Sequence, residues 1–261
     1  MAQSQQQRWL QEGQSRNIGP DITRPDPALC EALRKIGSAT VAGFLYDLGV
    51  TRPHMSGLPS WTPGKSIAGP ALTLQCMPKR QDLDSGIEYS ELGMMHHKVL
   101  YPAQPGDIVV VDARGEMEGG IFGEMLCTYF MKKGGVGMII DGCIRDWPDV
   151  KELDLGLWMR GVTPNHGMQN RLMFWAVNQP IACSDVFVMP GDIIVADDDG
   201  AVVVPIRLAE ELVKLGEEKR GWETFTRMKL QQGGDVRDYY PLSAEAEIEY
   251  QAWAKLQARG D

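Results

Sequence analysis

The stretch GVGMIIDGCIRDWPDV, residues 135–150, sets a short apolar run directly against a cluster of charge. Val136, Met138, Ile139 and Ile140 predict a strand buried on both faces, the habit of parallel sheets, where other elements cover each side. Gly142 and Pro148 keep the run from continuing as either strand or helix, and Arg145, Asp146 and Asp149 follow at its end. In open α/β sheets ligands bind outside the carboxyl ends of the strands, so a site is expected at this edge. Upstream, PGDIVVVD (105–112) predicts a turn and a second buried strand over 107–112. A helix is predicted from about 120 to 133, stopped by Gly134 and Gly135. Strand, helix and strand make a βαβ unit whose crossover length suits parallel strands. Both strand ends and the start of the helix therefore share one edge.

Further upstream, Asp26 can cap a helix with Pro27 at its first position, and Leu29, Leu33 and Ile36 recur on one face. A second helix is expected over 39–48, ending at Gly49. IAGPALTLQCM (67–77) predicts a strand, and 88–101 a helix containing LGMMHHKVL. Downstream, PGDIIVADDDGAVVVP (190–205) echoes PGDIVVVD, and we read the echo as one turn used twice. The aspartates of DDDG (197–200) lack the spacing of a calcium loop, and the flanking β-rich runs make them a hairpin turn. Helices are expected over 208–230 and 244–256. Residues 1–25 are polar and Gln-rich, a candidate arm that orders against a neighbouring subunit. The domain division is then arm 1–25, catalytic domain 26–235 and helical extension 236–261.

The chain has 261 residues and a formal net charge of −9, and no basic run interrupts that acidity, which excludes a generic nucleic-acid surface. No segment is long and apolar enough for a bilayer span. The five cysteines carry no CxxC pair. Scattered thiols suit a reducing compartment, so a cytoplasmic location with neither membrane nor nucleic acid as partner is expected.

The chemistry is sought at the shared edge. The glycine-rich entry GGIFGEML (119–126) leaves helix N-terminal amides aimed outward, a ready seat for a carboxylate or phosphate. Arg145 can grip an anion bidentately, and Glu124 and Asp146 add carboxylates. Anion holders beside oxygen donors suit a hard divalent cation, Mg²⁺ or Mn²⁺, held by few protein ligands and chelated by a 2-oxo acid. The plainer alternative is a surface Arg–Asp pair, with a glutamate placed in a first helical turn by the macrodipole alone. His96 and His97 fit a helix, packed or solvated rather than ligands, His54 a loop, and His166 has no partner in the pattern. Cys143 lacks an activating base.

GIFGEMLCTYFMKKGGVGMIIDGCIRDWPDV closely resembles the signature region of the regulator of ribonuclease activity A-like superfamily. That superfamily includes class II pyruvate aldolases acting on 4-hydroxy-4-methyl-2-oxoglutarate and 4-carboxy-4-hydroxy-2-oxoadipate. The likeness extends more loosely over about residues 30 to 235, through SATVAGFLYDLG, GKSIAGPALTL and both PGD segments. It implies an α/β fold of the swivelling β/β/α type, a single domain with N- and C-terminal helical extensions, assembled as a homotrimer or a homohexamer. It implies that Asp146 binds the metal directly, Arg145 the pyruvyl moiety, and Glu124 the metal through water. Gly123, Glu124 and the amides of Met125 and Leu126 would then hold the substrate carboxylate. A carboxylate from a neighbouring subunit, Glu217, Glu218 or preferably Glu223, would reach the metal waters. One departure lies in SATVAGFLYDLG, where many relatives carry Asp in place of Ala42 or Gly43. The implied activity is retro-aldol cleavage releasing pyruvate, with oxaloacetate decarboxylation at the same site, the base being a metal-held water positioned by Glu124. Two alternatives are a non-catalytic regulator binding an RNA-processing enzyme and a same-fold lyase for another oxo acid.

Overall fold

The computed structural model describes residues 17–80, 95–167 and 171–257. The apolar run of the opening stretch forms β3 (Gly137–Ile144), buried at all eight positions. It pairs in parallel with β2 (Ile108–Glu116) on one side and with β4 (Gly156–Val162) on the other. β2 pairs in parallel with β1 (Ile67–Pro78), whose other edge takes two antiparallel partners in succession. Ile67–Pro70 pair with β8 (Ile193–Asp197), and Leu74–Pro78 with β5 (Leu172–Val177). With β9 (Gly200–Val204) beyond β8, the order is β4-β3-β2-β1-β8-β9, and a separate hairpin joins β6 (Ile181–Cys183) to β7 (Val186–Val188). The fold is thus mixed α/β, as the sequence predicted.

Strand alternation builds two cores. Val109 and Val111 of β2 and Met138 and Ile140 of β3 face Cys127 and Phe130 of the crossover helix α4 (Glu124–Lys132). Ile108, Val110 and Ile139 face Met55, Trp158 and the β6–β7 hairpin. Fully buried side chains of this size each stabilise by about 1.5–3 kcal/mol relative to exposure, which is why so apolar a strand has one stable location.

The N-terminal helices follow their signals. α1 (Pro27–Ile36) is capped by the Asp26 side chain on the Ala28 amide at 2.8 Å, and α2 (Ser38–Asp47) precedes Gly49 at φ 87°. Residues 17–24 of the expected arm lie along their own chain: Gly19 donates to Val177 O at 2.8 Å, and Arg24 pairs with the fully buried Asp107 at 2.8 Å. Residues 1–16 are outside the described range. The helix expected over 88–101 also falls partly outside it. Within the described residues only α3 (Met95–Lys98) is helical, and 99–102 form turns.

The two PGD turns share one geometry. The carboxylates of Asp107 and Asp192 accept from the amides of Gln104 and Met189, at 2.9 and 2.8 Å. Asp198 and Asp199 occupy the β8–β9 turn, as their pattern predicted. On the hairpin-covered face a charged cluster clamps the strand ends. Asp141 pairs with Arg160 and accepts from the Ser184 amide at 3.3 Å, and burial pushes the Asp112 carboxyl up from its ordinary range.

The chain divides into two compact units, residues 1–209 and 210–261. The second consists of α6 (Ala209–Gln231, with only its first residue in the first unit), α7 (Val236–Tyr239) and α8 (Ala244–Gln257). It has its own aromatic contacts, Phe225 packing on Tyr239, Tyr250 and Trp253 at 5.7–6.1 Å.

Candidate active site

Past Ile144 the sheet hydrogen bonding is continued by the glycine-rich segment. Ile121 donates to Cys143 O at 2.8 Å, and Arg145 donates to Phe122 O at 3.0 Å. The approach requires glycine, because a Cβ on Gly120 would lie 2.7 Å from the Arg145 nitrogen. Gly142 is needed for a similar reason: a Cβ there would lie 2.8 Å from Cβ of Ala113 on β2. The chain then turns out of β3 through Asp146, left-handed at φ 60° and ψ 33°, into α5 (Trp147–Val150), where Pro148 fits the first turn. Aspartate is among the few side chains that tolerate that conformation. The strand runs through Gly142 to Ile144, against the expectation that this glycine would end it, and the left-handed Asp146 followed by Pro148 turns the chain out of the sheet.

The turn brings Arg145 and Asp146 to the start of α4. Arg145 Nη1 lies 3.3 Å from Asp146 Oδ1, and the Glu124 amide donates to Asp146 Oδ2 at 3.2 Å. Gly123 is the floor between them, since a Cβ there would sit 2.5 Å from Asp146 Oδ2 and 3.0 Å from Arg145 Nε. The amides of Met125 and Leu126 precede the first i→i−4 bond of α4, Cys127 to Gly123 O at 3.1 Å, and so lie at the positive end of the helix. The Glu124 carboxylate turns along its own helix and accepts from the Thr128 hydroxyl at 2.8 Å. The structure therefore brings together Gly123, Glu124, Met125, Leu126, Arg145 and Asp146 from two strand–helix junctions.

A cavity of about 270 Å³ opens beside this cluster, walled by Arg145, Gly123, Met125 and Leu126 on one side and by His96, His97, His166 and Phe174 on another. Three of the chain's four histidines meet here. Sequence reasoning missed them because α3, β5 and the segment before 168 converge only through the topology. His96 stacks on Phe174 at 4.2 Å and meets His97 edge-on at 4.3 Å. The backbone of His166 is bridged to Gly120. Burial holds the His97 imidazole below its ordinary pKa, so it is neutral near pH 7. Cys143 is buried, burial raises its thiol to about 11, and its Sγ donates to Gly119 O at 3.6 Å, an inert thiol as expected. His54 lies apart, bridged to Val202.

Among the described residues no three His, Cys, Asp or Glu side chains gather as a closed metal site. The donor set at the edge nonetheless fits one kind of ion. Asp146 offers a half-exposed carboxylate, and the space above Gly123 is kept clear by the missing Cβ. A hard cation such as Mg²⁺ or Mn²⁺, which keeps most of its waters, fits one carboxylate, whereas a soft-ligand or four-ligand tetrahedral site does not. Glu217, Glu218 and Glu223 all lie on α6 in the second unit, where Glu223 pairs with Lys219 at 3.2 Å.

An arginine and a helix N-terminus line a cavity at the carboxyl edge of a parallel βαβ unit, with two carboxylates beside them, an arrangement suited to an anion. The chain belongs to the RraA-like family (Aldolase/RraA), whose model matches residues 27–203. It is 32% identical over 154 residues to a Halalkalibacterium halodurans protein provisionally named a 4-hydroxy-4-methyl-2-oxoglutarate aldolase, a match covering 59% of this chain and 67% of that one. It is 42% identical, with a TM-score of 0.74, to Streptomyces coelicolor RraAS2, described as an unusual member of the RNase ES inhibitor RraA protein family. That match covers 79% of this chain and 99% of the other. An uncharacterized Pseudomonas syringae protein shares the fold at 22% identity and a TM-score of 0.70, over 84% of this chain and all of that one.

Proposed function

We propose that the chain is a divalent-metal-dependent carbon–carbon lyase that cleaves a 4-hydroxy-2-oxo di- or tricarboxylate to release pyruvate and also decarboxylates oxaloacetate. The observation that carries this reading is the Gly123–Asp146–Arg145 contact, which holds a carboxylate and a guanidinium over a glycine floor at the mouth of a cavity. Mg²⁺ or Mn²⁺ on Asp146, when bound, supplies the positive charge that stabilises the oxygen of the developing enolate. Arg145 aligns the 2-oxo acid through its planar fork, and the amides of Met125 and Leu126 receive its carboxylate. Glu124, tied to Thr128, adds negative charge beside Asp146 and holds the surrounding water. Glu223, or Glu217 or Glu218, from a neighbouring subunit of a homotrimer or homohexamer completes the water shell. The catalytic domain would span 26–235, between the arm and the helical extension.

A panel of 2-oxo acids assayed for pyruvate release with and without Mg²⁺ or Mn²⁺ tests the proposal, and Asp146→Ala should remain folded and inactive. Full turnover in excess chelator removes the metal from the reading. The resemblance to RraAS2 supports a second reading, a regulator that binds an RNA-processing enzyme, with no turnover of its own. Recovery of such an enzyme in a pull-down, with no pyruvate from any acid in the panel, would favour it.

A further inference from the structure

Retro-aldol chemistry moves one proton, from the hydroxyl on C4 of the substrate to C3 of the pyruvate produced. Neither Glu124 nor Asp146 lies on the cavity wall, and both are engaged, Glu124 by Thr128 and Asp146 by Arg145 and the Glu124 amide. Among the described residues lining the cavity, the only side chains able to accept a proton near neutral pH are the three imidazoles. His96 is fixed as a packing element, its ring stacked on Phe174 at 4.2 Å. His166 is exposed on the segment bridged to Gly120. His97 is half-buried, and its ring meets the His96 ring edge-on at 4.3 Å.

On these grounds, and resting on the aldolase reading above, we propose that His97 is the proton carrier of the reaction. An imidazole nitrogen of His97 takes the C4 hydroxyl proton, and the O–H pair becomes the second bond of the new C4 carbonyl. The C3–C4 bonding pair moves into the pyruvate enolate. The imidazolium then returns the same proton to C3 as the enolate carbonyl re-forms, giving pyruvate and regenerating neutral His97. Atoms and electrons balance without an oxidant or reductant. The assignment differs from the family-based expectation that a water positioned by Glu124 is the base. The part-buried setting that keeps His97 neutral near pH 7 leaves it in the accepting form.

The test reads the proton at C3 directly. Full-length protein with Mg²⁺ and pyruvate in D₂O should exchange the pyruvate methyl protons for deuterium, followed by NMR. His97→Gln should slow that exchange by about 10²-fold or more, the usual worth of a positioned acid–base group, while still binding oxalate, a mimic of the enolate, as tightly as the wild type. Added free imidazole should restore part of the exchange. If His97→Gln loses oxalate binding, His97→Asn is read in its place by the same criteria. Wild-type exchange by a variant that binds oxalate overturns the assignment of His97 and leaves the aldolase reading standing. No exchange and no pyruvate release by the wild type overturns both.

Discussion

Gly123→Ala isolates the site from the fold. The glycine's backbone is extended, at φ −123°, so alanine meets no backbone strain there. The new methyl would instead stand 2.5 Å from Asp146 Oδ2 and 3.0 Å from Arg145 Nε. Both neighbours are ends of side chains, so they can yield where backbone could not. Restoring an ordinary contact displaces the Asp146 carboxylate by roughly 1 Å, and misplacement on that scale costs about 10²-fold in rate, or about 2.7 kcal/mol of transition-state stabilisation. The same movement breaks the 3.2 Å bond from the Glu124 amide, worth about 1 kcal/mol, which lowers the melting temperature by only about 3 °C. The assay is pyruvate release coupled to NADH oxidation by lactate dehydrogenase, beside a thermal unfolding scan. Wild-type kcat/KM in Gly123→Ala would refute the placement of the metal and the oxo acid above this glycine. A loss of activity matched by a melting temperature lowered by more than 10 °C would show that the glycine serves the fold instead.

Arg145→Lys keeps the charge and loses the fork, so it should depress aldol cleavage and oxaloacetate decarboxylation alike by at least tenfold; unchanged rates in both reactions would return Arg145 to the surface. Glu124→Gln should lower both reactions to the same extent if His97 carries the proton, and a loss confined to aldol cleavage would restore Glu124 as the agent that positions the base. Gly43→Ala, in the middle of α2 with nothing within 4 Å of the added methyl, should stabilise by about 0.5–1 kcal/mol, and a lowered urea midpoint would contradict the open surface seen there. All five cysteines are buried free thiols, and burial raises Cys30 and Cys143 to about 11 and Cys127 to about 12. A chromogenic disulfide at pH 8 should therefore find none in the native protein within minutes and five after denaturation, and a thiol that reacts at once in the native state would place it at the surface.

The βαβ unit was legible because its signals are local: a continuous apolar run of strand length, glycine stops, and a crossover long enough only for parallel partners. The grouping of Glu124, Arg145 and Asp146 followed from that unit by topology alone. What the pattern did not carry was the far wall. His96 and His97 read as helix residues, packed or solvated, and His96 is packed, on Phe174. Nothing in spacing shows that residues 95–98, 166 and 174 meet across the sheet edge, since their proximity depends on β5 pairing with β1 about 100 positions away in sequence. The two successive partners of β1 were equally hidden, because a strand buried almost continuously on both faces carries no alternation that tells an antiparallel neighbour from a parallel one.

That double pairing of β1 shapes how the first unit opens. β1 pairs with β2 over Ala71–Gln75 on one edge and, on the other, with β8 over Ile67–Pro70 and then with β5 over Leu74–Pro78. No single neighbour can peel away and leave β1 solvated, so fraying at β4 or β9 stops before it reaches the centre. Deuterium should enter β1 last and only through whole-unit unfolding, and its slowest protons should mark the ceiling of stability for residues 17–209. Bound ligand that bridges the β3 edge and the β5 wall should raise that ceiling, since both attach to the same β1–β2 spine.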